Sequence, residues 1–441
     1  MESNSTKVCV FGLWHLGLVT SGCLAELGFD VIAIADNQTE CDALNNGFLP
    51  IYEPELEHLI SKNIASGRLQ FATQDCDLIS SAEFVILAYD TPIDQDDHVN
   101  ISNLFDTAKL IAPCLQENAS VIINSQVPVG TSEKLSETIK SFAQSSINGV
   151  AYSPENLRLG QAIQRFMHPD FIVVGTENAT VTKHVKQLYS EIDATVVWTN
   201  LRTAEMTKHA LNAYLATGIS FINEFANISD RVGADTLKVI EALKLDSRIS
   251  ANAPLTPGLG FSGGTLARDV QVLREIAKDK KQISSLLDSV IEVNSRQTTV
   301  VIEKITNTLQ SFEGATIAIL GLTYKPDTST LRRSVALEII EMLLAKGAKI
   351  RTYDPMVDRD ELSKYTGFTF IDDVYSAVAG CDAAILATPW PEFHKLDFKK
   401  LKTPMRQAII LDAHNMLDSV KIKRAGFRYI GIGTGDQATQ D

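Results

Sequence analysis

The sequence predicts an α/β protein: two doubly wound domains joined by a central helical domain with one long helix. Three observations carry the expectation. Short apolar, β-branched runs alternate with amphipathic segments from Val8 to about Asn200, and the same rhythm resumes at Thr316. Between them, apolar residues recur at helical spacing from Ala204 to about Val232. Near-continuous apolar strands separated by helices mark a parallel sheet covered on both faces.

In chain order, Val8–Phe11, Val31–Ala35, Phe84–Ala88, Val121–Asn124 and Phe171–Val174 read as strands of a first domain, residues 1–200. The first strand runs into Gly12-Leu13-Trp14-His15-Leu16-Gly17, followed by a helix from Val19 to Leu27 that Gly28 ends. The helical pattern of Met206, Ala210, Tyr214, Ile219, Phe221, Ile222, Phe225 and Ile228 is interrupted by Gly218 alone and predicts one long helix. Further helices are expected at Leu237–Leu245 and Ile283–Lys304, completing a central domain at 201–304. The loop-like stretch Ser247–Thr265 holds Pro254, Pro257, Gly258, Gly260, Gly263 and Gly264, which implies backbone pressed close to something. Thr316–Leu320, a helix at Ser334–Lys346 stopped by Gly347, and the strands Lys349–Tyr353, Ala383–Ala387 and Ala408–Leu411 predict a second α/β domain at 305–441.

Composition narrows the function. The 441 residues carry 40 Lys+Arg against 54 Asp+Glu, a net charge of −14. That balance argues against nucleic acid or an anionic membrane as a partner, so an anionic ligand needs a local pocket. Cys9, Cys23, Cys41, Cys76, Cys114 and Cys381 show no zinc-ligand spacing. They read as buried reduced thiols, and no metal is expected. A polar start at Met1–Lys7 and the lack of any apolar run near ~20 residues point to a cytoplasmic protein without a membrane span.

The turn after the first strand fits the dinucleotide fingerprint G-x-G-x-x-G of a Rossmann-like domain, with Trp14 at the second glycine. Asp36 ends the second strand where a carboxylate for the adenosine ribose is expected, and no arginine follows it, which favours NAD over NADP. Gly12, Trp14, His15, Leu16, Gly17 and Asp36 are therefore candidate cofactor contacts.

Further segments carry a family resemblance: Ile51-Tyr52-Glu53-Pro54, Thr91-Pro92, Val127–Gly130, Pro154–Gly160, Ala204–Glu224, Gly258–Asp269, Gly321–Pro326, Tyr353-Asp354-Pro355 and Trp390–Phe393. In order and spacing the chain resembles the UDP-glucose/GDP-mannose dehydrogenases. That resemblance implies an N-terminal NAD-binding domain, a central dimerisation domain and a C-terminal nucleotide-sugar-binding domain in a homodimer. It also implies oxidation of a primary alcohol at C6 of a nucleotide sugar, UDP being the preferred nucleotide, through a cysteine thioester. Residue by residue, it assigns catalytic roles to Lys208, Asn212 and Asp269, and cofactor contacts to Thr91 and Arg332. Glu155, Leu157, Arg248, Phe261, Gly264 and Lys325 fall on the substrate side. Lys208 and Asn212, four apart on a helix, share a face on which an ammonium and an amide can hold an oxyanion.

The chain departs from the family at three positions. Thr265 stands where the family has its nucleophilic cysteine, Leu159 where it has a glutamate tied to thioester hydrolysis, and Gln126 where it has a threonine near the reacting centre. An alkyl hydroxyl is not ionised at neutral pH, so no thioester forms at Thr265. The expectation is therefore an NAD-dependent oxidoreductase acting on a UDP-sugar alcohol by two-electron or redox-neutral hydride chemistry. The alternatives are a conventional four-electron 6-dehydrogenase giving a uronate, and a catalytically silent nucleotide-sugar-binding homologue.

Overall fold

The computed structural model describes residues 6–91, 99–154 and 157–435. It divides into two bodies, residues 1–210 and 211–441, each built on one sheet.

In the first body the strands are β1 (Lys7–Phe11), β2 (Asp30–Ala35), β3 (Leu69–Thr73), β4 (Phe84–Leu87), β5 (Ser120–Ile123), β6 (Gly149–Tyr152), β7 (Ile172–Thr176) and β8 (Val196–Thr199). Their order is β3-β2-β1-β4-β5-β6-β7-β8. Val8 lies opposite Val31 on one side and Phe84 on the other, and all of β4, β5 and β6 is buried. Such strands, covered on both faces, explain the unbroken apolar runs. The sheet is not wholly parallel as expected: β6 and β7 pair antiparallel, and β7 and β8 continue as a parallel pair. β3, β6 and β8 escape the sequence reading because each is short or mixes polar and small residues, as in Leu69-Gln70-Phe71-Ala72-Thr73.

The second body has β9 (Thr316–Leu320), β10 (Lys349–Tyr353), β11 (Phe368–Phe370), β12 (Ala383–Leu386), β13 (Ile409–Asp412) and β14 (Arg428–Ile430). All are parallel, in the order β11-β10-β9-β12-β13-β14. This repeats the order of the first six strands, so each sheet has its own switch point, β1/β4 and β9/β12. Open α/β sheets bind ligands at such points.

One helix, Leu201–Val232, is 32 residues long and passes from the first body into the second. Gly218 does not break it, and its place is required by packing: a Cβ would lie 2.5 Å from Pro254 Cγ. The helix buries Ala216, Asn223, Ala226 and Asp230, whereas Tyr214, Phe221, Ile228 and Val232 are more than half exposed. Asp230 pairs with Lys304 at 2.5 Å, both side chains buried, and also accepts the Gly433 and Gly435 amides. That buried pair, with its remaining lone pairs satisfied, ties the chain's final described segment to two helices. A helix at Leu266–Asp279, absent from the sequence reading, follows the glycine-rich loop directly. Among the described residues no helix is long and apolar enough to cross a membrane.

The cysteines need one correction. Cys76 and Cys114 are paired in a disulfide, with Cα atoms 5.0 Å apart, a separation within the range a disulfide requires. Only Cys9, Cys23, Cys41 and Cys381 are the buried thiols expected.

Candidate active site

β1 delivers the chain to Gly12, whose φ of +90° and contact with the neighbouring strand leave no room for a side chain: a Cβ would sit 2.7 Å from the Tyr89 amide nitrogen. This is the close strand-to-strand approach at the switch point. Gly17 has a different reason, since its Cβ would fall 2.0 Å from Gly12 O; the helix His15–Glu26 rests on the turn itself. No side chain caps that helix, and Trp14, at its N-cap, is 48% exposed. The indole thus points outward, and the helix N-terminus keeps the amide array and dipole that suit a pyrophosphate. Asp36 is exposed at the end of β2, followed by Asn37, Gln38 and Thr39 rather than a cation. The turn fits a dinucleotide without a 2′-phosphate.

His15, the first residue of that helix, does more than occupy the turn. Its Nε2 lies 2.9 Å from Glu53 Oε2, and Glu53 also accepts the Gly160 and Ala162 amides, both at 2.8 Å. The Glu53 carboxylate is buried. Three donors satisfy a charge that burial alone would penalise. Glu53 belonged to a matched segment, Ile51–Pro54, but no spacing rule points to a partner more than a hundred residues away.

Thr91 is buried and donates from Oγ1 to Gln126 O at 3.0 Å. The loop beyond Gln126 is held from the long helix: Glu205 accepts the Gly130 and Ser132 amides at 2.5 and 2.8 Å, and His209 Nε2 lies 2.9 Å from Val127 O. Burial raises the Glu205 carboxyl above its ordinary range, against the pull of those amides. Leu157 packs against the core that holds the first helix and lines a cavity of about 70 Å³ with Leu16, Thr20 and Tyr189. Glu155 lies outside the described residues.

Lys208 and Asn212 are both buried, one turn apart on the long helix. In the second body Asn212 donates from Nδ2 to Asp269 Oδ2. Asp269 is fully buried in the first turn of the helix Leu266–Asp279, with Arg268 Nε 3.7 Å from its other oxygen. Thr265 is the exposed N-cap of this helix and makes no side-chain cap.

The glycine-rich loop that leads to Thr265 is pinned along its length. Asn223 Oδ1 accepts the Gly258 amide at 2.7 Å, Asn294 exchanges two hydrogen bonds with the Phe261 backbone, and Ser262 Oγ donates to Tyr324 O. A Cβ on Gly263 would stand 3.0 Å from the Tyr324 ring, and burial pushes that phenol up to about 12. Asn223 follows Asn212 by three helical turns on the same face, the one sequence signal that finds it. Phe261 is buried among Ala213, Ala216, Val270 and Val290, as a packing anchor.

Gly264 lies partly buried just before Thr265. Lys325 sits 5.7 Å from the Tyr324 ring, and Arg332 is exposed in the turn before the helix Val335–Ala345. Arg248 stands on the surface, its guanidinium 2.7 Å from Asp246 and brought to none of the other residues. No free cysteine offers a thiolate: burial pushes Cys9 up to about 12 and Cys381 to about 11, and raises Cys23 and Cys41 as well.

Three family models match the chain in succession, all of the UDP-glucose/GDP-mannose dehydrogenase family: the NAD binding domain over residues 6–193, the central domain over 202–296 and the UDP binding domain over 318–419. The chain is 35% identical over 430 residues to the UDP-glucose 6-dehydrogenase TuaD of Bacillus subtilis (strain 168), covering 97% of this chain and 93% of that one. Its fold resembles a UDP-glucose dehydrogenase from the hyperthermophilic archaeon Pyrobaculum islandicum, with a TM-score of 0.87, 28% identity and 98% coverage of both chains. A UDP-D-ManNAc dehydrogenase from Pyrococcus horikoshii superposes with a TM-score of 0.86 at 26% identity, covering 98% of this chain and all of that one.

Proposed function

The chain belongs to the UDP-glucose/GDP-mannose dehydrogenase family, and from that membership we propose that it is a UDP-sugar 6-dehydrogenase whose second oxidation proceeds without a thiol. The protein is an NAD-dependent dehydrogenase of CH–OH groups with an NAD-binding and a UDP-binding domain.

The names of the relatives favour C6 oxidation of a UDP-hexose to the uronate over the redox-neutral chemistry that the sequence suggested. Two observations carry the thiol-free route: Thr265, not a cysteine, occupies the N-cap position of the helix that bears Asp269, and every free cysteine is buried with its pKa raised. NAD, when bound, supplies the hydride acceptor for both oxidations. Asp269 takes the proton of the C6 alcohol, while Asn212 and Lys208 steady the developing alkoxide. The aldehyde then adds water to give a geminal diol. Once Asp269 has passed that first proton to solvent, its carboxylate takes a second from the diol as C6 loses its second hydride equivalent, and the carboxylic acid so formed ionises. One water is consumed, two hydride equivalents go to two NAD and three protons are released.

On the substrate side we propose Glu155, Leu157, Gly264, Lys325 and Arg248, with Lys325 and Arg248 as counter-charges for the diphosphate. Arg332, with Thr91, we assign to the cofactor. We also propose that residues 201–304 form a dimerisation domain between α/β domains at 1–200 and 305–441. The exposed apolar line Tyr214, Phe221 and Ile228, spaced by seven residues on the long helix, supports a homodimer.

Loss of both the family cysteine and the glutamate now represented by Leu159 favours a second reading, in which oxidation stops at the aldehyde. Incubation with NAD and UDP-glucose, UDP-N-acetylhexosamines or free glucose tests the proposal: NADH forms only with a UDP-sugar, and no NADH with any of them overturns it.

A further inference from the structure

We propose that Glu53 is a positioning residue that couples the cofactor turn to the sugar-side loop, so that binding of one ligand strengthens binding of the other. The buried carboxylate bridges two segments far apart in sequence. One oxygen meets His15 Nε2 at the head of the phosphate-turn helix and the Gly160 amide; the other accepts the amide of Ala162, the first residue of the helix Ala162–Met167. Gly160 closes the segment that begins at Pro154 and contains Leu157. Part of this proposal rests on the reading above that the segment faces the sugar.

Geometry makes the link two-sided. His15 is fixed in the turn by the helix it opens, with Leu18 N bonded to Trp14 O at 3.0 Å. Leu157 and Leu16 line the same small cavity, so the two segments share an apolar lining. A shift of the phosphate turn therefore moves His15 against an acceptor that also holds Gly160. A ligand that orders either end lowers the cost of ordering the other, and the effect is reciprocal. Carboxylate chemistry is needed because all three partners point donors inward. An amide at position 53 would turn an N–H group toward one of them.

The test is linkage, read by quenching of tryptophan fluorescence, since Trp14 stands in the turn. NAD affinity is measured alone and with saturating UDP-glucose in the intact protein, in Glu53→Gln, in His15→Phe and in His15→Gln. The proposal expects UDP-glucose to tighten NAD by about fivefold or more in the unaltered protein. In Glu53→Gln and His15→Phe that factor falls to near one, whatever the change in affinity for NAD alone. His15→Gln, which keeps a donor for Glu53, retains most of it, a separation that a purely structural role would not produce.

Equal coupling in the unaltered protein and in His15→Phe overturns the proposal even if Glu53→Gln fails to fold. No coupling in the unaltered protein overturns it too. A protein that binds NAD but no UDP-sugar fails at the functional reading, and the coupling falls with it; a direct calorimetric titration of UDP-glucose into the unaltered protein without NAD sets that outcome apart.

Discussion

Asn212 and Asp269 are joined by a hydrogen bond in which the amide of the long helix holds a carboxylate that has no exposed surface. The pair links the long helix to the helix Leu266–Asp279 that follows the glycine-rich loop, and it holds the Asp269 oxygen that we propose takes the substrate proton. Asp269→Asn should lower kcat by about a hundredfold or more, the usual weight of a positioned base. Asn212→Ala should lower kcat and also cost about 1–3 kcal/mol of stability, because it leaves a buried carboxylate short of a donor. Steady-state kinetics and denaturant melts on the same preparations check both.

Gly17 tests the cofactor turn. A methyl group there would sit 2.0 Å from Gly12 O, so Gly17→Ala must push the helix off the turn. NAD affinity should fall at least tenfold, with about 1–3 kcal/mol lost from stability, as overpacked sites lose. Unchanged NAD binding by calorimetry would show that the helix does not seat the pyrophosphate.

His184 gives a pH dependence. Its ring stacks on Phe84 at 4.3 Å and lies 2.8 Å from Ser120 Oγ, and burial lowers its pKa below the usual 6.5 although Glu83 pulls the other way. The unfolded chain thus binds the proton more readily. Stability from this group is present above pH 6.5 and is lost as the pH falls below it. The thermal midpoint of the unaltered protein should decline from pH 7 to pH 5 more steeply than that of His184→Gln. Parallel slopes would remove His184 from the account.

Phe221 sits half-exposed in the apolar line of the long helix. Phe221→Glu should convert a dimer to a monomer in light scattering, with little loss of fold, since the side chain has few partners within its own chain. A protein that is monomeric before substitution contradicts the proposed interface.

The larger architecture was readable because its signals are local and periodic. Val8–Phe11, Thr316–Leu320 and the helical recurrence of apolar residues from Met206 to Ile228 each follow from pattern alone. Asp269 and Asn212 were found through resemblance, but their hydrogen bond was not visible, since 57 residues separate them and no periodicity spans two helices. Glu53, Asn223 and Asn294 escaped for the same reason: each is a single polar residue whose partners lie far away in the sequence. The helix Leu266–Asp279 was hidden by the glycines before it, and the antiparallel turn at β7 leaves no trace in an apolar run. The Cys76–Cys114 pair shows no spacing signature either.

On the proposed mechanism a UDP-sugar is oxidised at C6 by four electrons with Thr265 as a bystander. NADH formed per UDP-glucose consumed, measured at completion in H₂¹⁸O for the unaltered protein and for Thr265→Ala, tests it most directly. Two NADH per sugar and a uronate carrying heavy oxygen are expected from both. One NADH with an accumulating aldehyde, or loss of the second NADH in Thr265→Ala alone, would contradict it.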